Sequence, residues 1–166
     1  EVVLAQPEDS LSTEDRSRVQ ALINEAFDFQ ELARLSLGEH WPQRSAEEQT
    51  EFVSVFSGII EKQNFDIFVR YHREGKITYT TEEVDAETGR AIVHAEVPLK
   101  QETKQIAYYL HRPATEGPWR IYDLAIDGAG TADANRRIYT RYIGRHSYPK
   151  LLETLRKKLD RLEGQG

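Results

Sequence analysis

Cysteine and methionine are both absent from this chain of 166 residues, and lysine plus arginine (22) are outnumbered by aspartate plus glutamate (28). Without cysteine there is no disulfide framework, no thiolate metal site and no cysteine nucleophile, and the absence is compatible with cytosol and periplasm alike. A formal net charge of −6 argues against a general binder of nucleic acid or anionic membrane, since both are held by basic surfaces. No apolar run approaches the roughly 20 residues of a membrane-spanning helix. Neither an initiating methionine nor a signal-peptide pattern opens the chain, so a processed or shortened form is expected. Internal repeats and low-complexity segments are lacking, as are the HExxH, GxSxG and phosphate-cradling glycine patterns. What is present, 39% apolar and 30% charged residues, is the composition of a soluble globular protein. The length suits one domain over 1–166 with a single sizeable core, truncated or frayed at 1–10 and frayed at 163–166.

Helical spacing dominates both ends. After a short segment with Val2, Val3 and Leu4, Ser12 and Asp15 make a capping-box pattern before Val19, Leu22, Ile23, Ala26 and Phe27. Asp28 with Glu31 signals a second start, and Phe29, Leu32, Ala33 and Ser36 share a face until Gly38. Trp41-Pro42 predicts a break. Ser45 with Glu48 then caps the strongest helix, with the stripe Phe52, Val55, Phe56, Ile59 and Ile60. That helix continues through Phe65, Phe68 and Val69 to Gly75, with a kink expected near Asn64. The period next becomes two, predicting strands over 76–84, 90–100, 105–112 and 119–128 with turns at 85–89, 101–104 and 113–118. Short connections imply antiparallel hairpins. Past Gly128, Thr131 or Asp133 caps a helix with Ala134, Ile138, Tyr142 and Ile143, flanked by Tyr139. Ser147 and Pro149 open a last helix with Leu151, Leu152, Leu155, Leu159 and Leu162. The order predicts an α+β fold: a four-stranded antiparallel meander packed with helices from both ends of the chain.

The strand Trp119-Arg120-Ile121-Tyr122-Asp123-Leu124-Ala125-Ile126 is apolar on both sides, which predicts a central position. Strict alternation puts Tyr122, Leu124 and Ile126 on one face and Ile121 and Asp123 on the other. Matching apolar faces pairs Tyr79 with Ala95, Val97 with Tyr108, and Tyr108 with Leu124. One face then collects Ile77, Tyr79, Val93, Ala95, Val97, Ile106, Tyr108, Leu110, Tyr122, Leu124 and Ile126. The opposite, mixed face carries Thr80, His94, Glu96, Tyr109, His111 and Asp123.

That mixed face holds the few candidates for chemistry. His94 and His111 fall opposite each other, but two imidazoles without a third strong ligand make a poor metal site, even with Glu96 and Asp123 near, and no metal is expected. Asp123 as a catalytic base would need a pocket that raises its pKa and a substrate proton within reach. The simpler reading is structural: Asp123 bonds Tyr109 or Arg136 and fixes the sheet against a helix. No catalytic residue is expected, and Asp127 before Gly128 serves a turn. On the apolar side Phe52, Phe56, Tyr79, Tyr108 and Tyr122 form either a dense core or, with the small Ala95 and Ala125, the lining of an amphipathic cavity whose mouth gives tyrosine hydroxyls their partners. The residue pattern leaves both open.

Several segments together resemble the MlaC/toluene-tolerance auxiliary family. Phe27-Asp28-Phe29, Ala33-Arg34, Leu37-Gly38 and His40-Trp41 are similar to its opening signature, and Glu51-Phe52 with Phe56 to its next helix. Trp119-Arg120-Ile121-Tyr122-Asp123 running into Ile126-Asp127-Gly128 resembles its sheet motif; Arg136 and Leu151-Leu152 with Leu155 resemble its later helices. Where that family carries a more apolar stretch and a tyrosine before the arginine, this chain has Ala129-Gly130-Thr131-Ala132 and Asn135. The resemblance implies a cystatin-like cone with a curved sheet and an internal hydrophobic cavity. It implies a periplasmic, non-enzymatic carrier of Gram-negative bacteria that holds phospholipid acyl chains, needs no cofactor beyond that cargo and binds no nucleic acid. Its expected partners are an inner-membrane ABC transporter complex with its substrate-binding ring protein and an outer-membrane lipoprotein complex. The lining expected for such a cavity, from the apolar sheet face and the helix stripes of this chain, is Phe52, Phe56, Ile59, Ile60 and Phe65; Tyr79, Val93, Ala95, Val97, Tyr108, Leu110, Tyr122, Leu124 and Ile126; and Tyr139 with Ile143. Asp123, Tyr109 and Arg136 are expected to be structural. The alternatives are a hopanoid or other polycyclic cargo, a cystatin-like-fold enzyme using Asp123 on a small hydrophobic substrate, and a non-catalytic interaction module.

Overall fold

The computed structural model describes residues 13–74, 77–112 and 117–164, apart from the side chains of 13, 15, 16, 64–70 and 72–74. The expectations for Val2–Leu4, for the Ser12–Asp15 capping box and for the side chains of Phe65, Phe68 and Val69 lie outside the described residues. Helices α1 (Thr13–Ala26), α2 (Phe29–Leu37) and α3 (Ala46–Glu74) precede strands β1 (Thr78–Asp85), β2 (Arg90–Pro98), β3 (Thr103–His111), β4 (Arg120–Ile126) and β5 (Ala129–Gly130); α4 (Thr131–Arg145) and α5 (Tyr148–Glu163) follow. The fold is α+β, with an open antiparallel sheet in the order β1-β2-β3-β4-β5. The chain divides into two compact units, Glu1–Asp28 with Asn64–Gly130 and Phe29–Gln63 with Thr131–Gly166.

The first unit contains the whole sheet. Its fifth strand is an addition to the four predicted, and its cause is local. Asp127 (φ 50°) and Gly128 (φ 81°) both take positive φ, the backbone of the two-residue turn that Asp-Gly favours, so Ile126 pairs with Ala129. Asp127 does serve this turn. Its carboxylate accepts from the Gln105 amide at 3.0 Å and from Lys104 Nζ at 2.9 Å, and both contacts hold its pKa below the ordinary carboxylate value.

Register follows the turns. Tyr79 pairs with Ala95 and Tyr108 with Leu124, as predicted. Val97, however, pairs with Lys104 and not Tyr108, while His94 faces Ala107 and His111 faces Arg90. The β2–β3 turn falls two residues earlier than predicted, at 99–102 and not 101–104, closed by the Leu99 amide donating to the Glu102 carbonyl at 2.7 Å. The resulting slip of four residues leaves every side chain on its predicted face, so apolar patterning alone cannot detect it. Two bulges do exchange faces. Thr80 is the extra residue between the Tyr79–Ala95 and Thr81–His94 pairs, and Tyr122 is the extra residue between the Tyr109–Asp123 and Leu110–Ile121 pairs.

The second unit is a helical cluster. Ser45 and Glu48 form the predicted reciprocal cap, Ser45 N–H to Glu48 Oε2 at 3.0 Å and Glu48 N–H to Ser45 Oγ at 3.2 Å. Trp41 and Pro42 lie within a 3-10 turn (Gly38–Gln43) that leads into this cap. Gly38, at φ 55°, ends α2 beneath Arg136: a Cβ there would stand 2.7 Å from Arg136 Cδ. Phe52 and Phe56 are fully buried and stack at 5.6 Å, with Tyr139 edge-on to Phe52 at 6.1 Å. Ile59, Ile60, Leu151, Leu152 and Leu155 complete the same core.

Candidate functional site

A cavity of about 420 Å³ lies within the first unit. One wall is α1, which presents Val19, Leu22, Ile23 and Ala26, with Phe27 just beyond its end. The sheet supplies Tyr79, Val93, Ile106, Tyr108, Leu110, Ile121, Leu124 and Ile126; Ile77 and, from α3, Tyr71 complete the lining. Every one of these fifteen side chains is uncharged. Val19 and Ile23 are buried, whereas Leu22 is 60% and Tyr79 68% exposed, so those two mark where the cavity meets solvent. Beneath it Ala95 and Val97 pack with Ile106 and Tyr71 in a closed layer. Burial pushes the Tyr108 phenol up to about 12, with the Tyr79 and Tyr71 phenols adding to the rise.

The bulge at Tyr122 shapes this lining. Strict alternation puts Tyr122 beside Leu124, with Ile121 facing away. The extra residue reverses that: Ile121 pairs with Leu110 and lines the cavity, while Tyr122 turns to the other face. There its hydroxyl accepts from Arg90 Nη1 at 3.1 Å, and its ring lies 5.2 Å from His111 and 6.4 Å from Tyr109. His111 in turn pairs with Asp28 at 2.9 Å. The Asp28 amide donates to the Ile121 carbonyl at 2.8 Å, beside a parallel bridge between Phe27 and Ile121. The end of α1 is thus tied to β4 at the cavity's edge.

The predicted site residues separate into groups. Tyr79, Val93, Tyr108, Leu110, Leu124 and Ile126 line the cavity. Ala95 and Val97 lie in the layer beneath it, and Tyr122 is corrected to the opposite face. Phe52, Phe56, Ile59, Ile60 and Tyr139 are core members of the second unit, with Ile143 packed against them. Phe65 lies outside the described residues. The whole α1 wall was missed as a lining. Its signal was the Val19–Phe27 stripe, an apolar face for which the sequence reading named no partner. Asp123 is opposite Tyr109 in register and, next to Leu124, on the far side of the strand from the cavity; its Oδ1 accepts from the Leu124 amide at 2.8 Å. Arg136 pairs with Asp133. Among the described residues no cluster of three or more metal-ligating side chains forms, and no helix is long and apolar enough to cross a membrane.

The described lining can enclose hydrocarbon and exclude water. No curated protein matches the chain. Among solved structures, a phospholipid-binding protein from Ralstonia solanacearum, determined in complex with a phospholipid, is similar at a TM-score of 0.75 and 18% identity, over 89% of this chain and 84% of that one. The likeness extends to the fold. The MlaC protein family model matches residues 2–157, and the chain belongs to the MlaC family.

Proposed function

We propose that this protein is a periplasmic phospholipid carrier that takes acyl chains into the α1–sheet cavity and shuttles the lipid between an outer-membrane lipoprotein complex and an inner-membrane ABC transporter complex. The observation that carries the reading is a cavity of about 420 Å³ whose described lining side chains are all uncharged, in a chain of this family. A diacyl lipid with two sixteen-carbon chains is held out of water by more than about 20 kcal/mol, at roughly 0.8 kcal/mol per methylene. A carrier must therefore cover hydrocarbon and leave the charged head group wet. An uncharged described lining that opens at Leu22 and Tyr79 suits both demands for the part of the hydrocarbon that about 420 Å³ can hold. The Ralstonia solanacearum relative of like fold was solved with a phospholipid, which favours the same cargo class here. The enzyme reading loses its base, because Asp123 lies on the far side of the sheet from the cavity.

Lipid extraction and native mass spectrometry of protein purified from a Gram-negative host test this. A phospholipid bound near one per chain is expected, and Leu124→Arg is expected to expel it while the fold survives. Recovery of a polycyclic lipid instead would change the cargo and keep the carrier. Protein that is folded yet lipid-free in every preparation would reject both.

A further inference from the structure

Among the described residues the cavity lining is hydrocarbon except at three points. Tyr71, Tyr79 and Tyr108 are the lining residues with a polar side-chain atom, and none of the three hydroxyls has a hydrogen-bond partner among the described residues. Phenylalanine would fill the same space, and none of the three hydroxyls is sealed away from what enters the cavity, so each is open to a hydrogen-bond partner supplied by water or cargo. We propose that these three hydroxyls form a polar subsite that donates hydrogen bonds to the ester carbonyls of an acyl lipid, so that the cavity selects ester-linked lipid over cargo of bare hydrocarbon. The inference rests on the carrier reading and specifies its cargo.

The placement supports it. Tyr79, 68% exposed, stands at the mouth; Tyr71, 8% exposed, belongs to the closed layer, and Tyr108 packs against that layer. The Tyr79 and Tyr71 phenols both raise the Tyr108 pKa, so each lies within electrostatic reach of Tyr108. Tyr108, pushed up to about 12, remains a donor at any physiological pH. In a diacyl lipid the ester carbonyls sit where the chains join the polar head. With the chains enclosed and the head in water, those acceptors fall between the cavity interior and its mouth. Three adjacent donors along that path match two carbonyls with one to spare for water.

The test offers the full-length chain vesicles of dipalmitoyl phosphatidylglycerol mixed in equal parts with its dihexadecyl ether analogue, which lacks the carbonyls. Bound lipid is counted by native mass spectrometry. Two donated hydrogen bonds predict a preference for the ester of roughly tenfold. In the triple variant Tyr71→Phe, Tyr79→Phe, Tyr108→Phe the preference is expected to fall to within about twofold while the ether lipid still binds. Tyr122→Phe, a tyrosine on the opposite face, is expected to keep the wild-type ratio. If the triple variant does not fold, the three single variants serve, and at least one must lower the ratio. Equal uptake of ester and ether by the wild type overturns the inference and leaves the carrier standing, as does a preference that survives the substitutions. Uptake of neither lipid overturns the carrier reading itself.

Discussion

Asp127 shows how much one side chain does at a sheet corner. It adopts positive φ, which asparagine also tolerates, and its carboxylate binds the Gln105 amide and Lys104. Asp127→Asn therefore keeps the turn and removes the charge. Because the folded pKa is depressed below the ordinary value of 3.8, the stabilisation is fully present above that value and is lost as pH falls through the lower native one. The variant is expected to melt below the wild type at neutral pH, with the two midpoints converging below about pH 4; a gap that persists into strong acid would show that charge is not the cause. Asp28 and His111 make a different kind of contact. Each side chain is about one-fifth exposed, at 23% and 20%, so the pair is less screened than a surface one. Asp28→Ala is expected to cost about 1–2 kcal/mol in urea denaturation and to weaken lipid retention, since the lost carboxylate ties the end of α1 to His111 of β3. Retention unchanged at the full stability cost would show that this tie does not hold the cavity wall.

Within elements, the bulge in β4 decides which neighbour meets the cavity, and it yields a paired prediction. Ile121→Arg puts a charge among hydrocarbon and is expected to abolish co-purifying lipid, whereas Tyr122→Arg alters the opposite face and is expected to retain it. The reverse outcome would restore strict alternation through residue 121. Helices, strands and the Ser45–Glu48 cap were legible because each is written locally, in periodicity and in capping residues. The slip of β2 against β3 was not, since an even shift preserves both faces. The bulges were hidden for a related reason: Tyr122 is as good a cavity residue by composition as Ile121. Strand β5 was signalled by Asp127-Gly128, the strongest short hairpin pattern in the chain, but two residues carry no alternation to read. For α1 the stripe was plain and its destination was not: Leu22 is 60% exposed, and only the fold shows that it borders a cavity. Leu22→Asp is accordingly expected to shift stability by no more than about 0.5 kcal/mol while reducing lipid uptake from vesicles.

At the scale of the whole chain, helix α3 serves two packing tasks, and that division is what the sequence stripe concealed. Phe52, Val55, Phe56, Ile59 and Ile60 read as one wall of a binding site, yet they close on α2, α4 and α5, and Tyr71 near the other end of the helix is, among the described α3 side chains, the one that lines the cavity. The change falls at Asn64, where α3 passes from one compact unit to the other. An unbroken apolar periodicity cannot announce a change of partner, because both partners ask for the same residue types. If the division holds, stability and cargo binding are separable. Phe56→Ala empties a fully buried site and is expected to cost about 3–5 kcal/mol; Phe56→Leu, smaller in its volume change, is expected to cost less. In both variants the folded fraction, isolated by size exclusion, is expected to carry the same ratio of lipid to protein as the wild type. A ratio that falls in step with the lost stability would mean that the Phe52–Ile60 core supports the cavity directly, and the lining would then have to extend beyond α1 and the sheet.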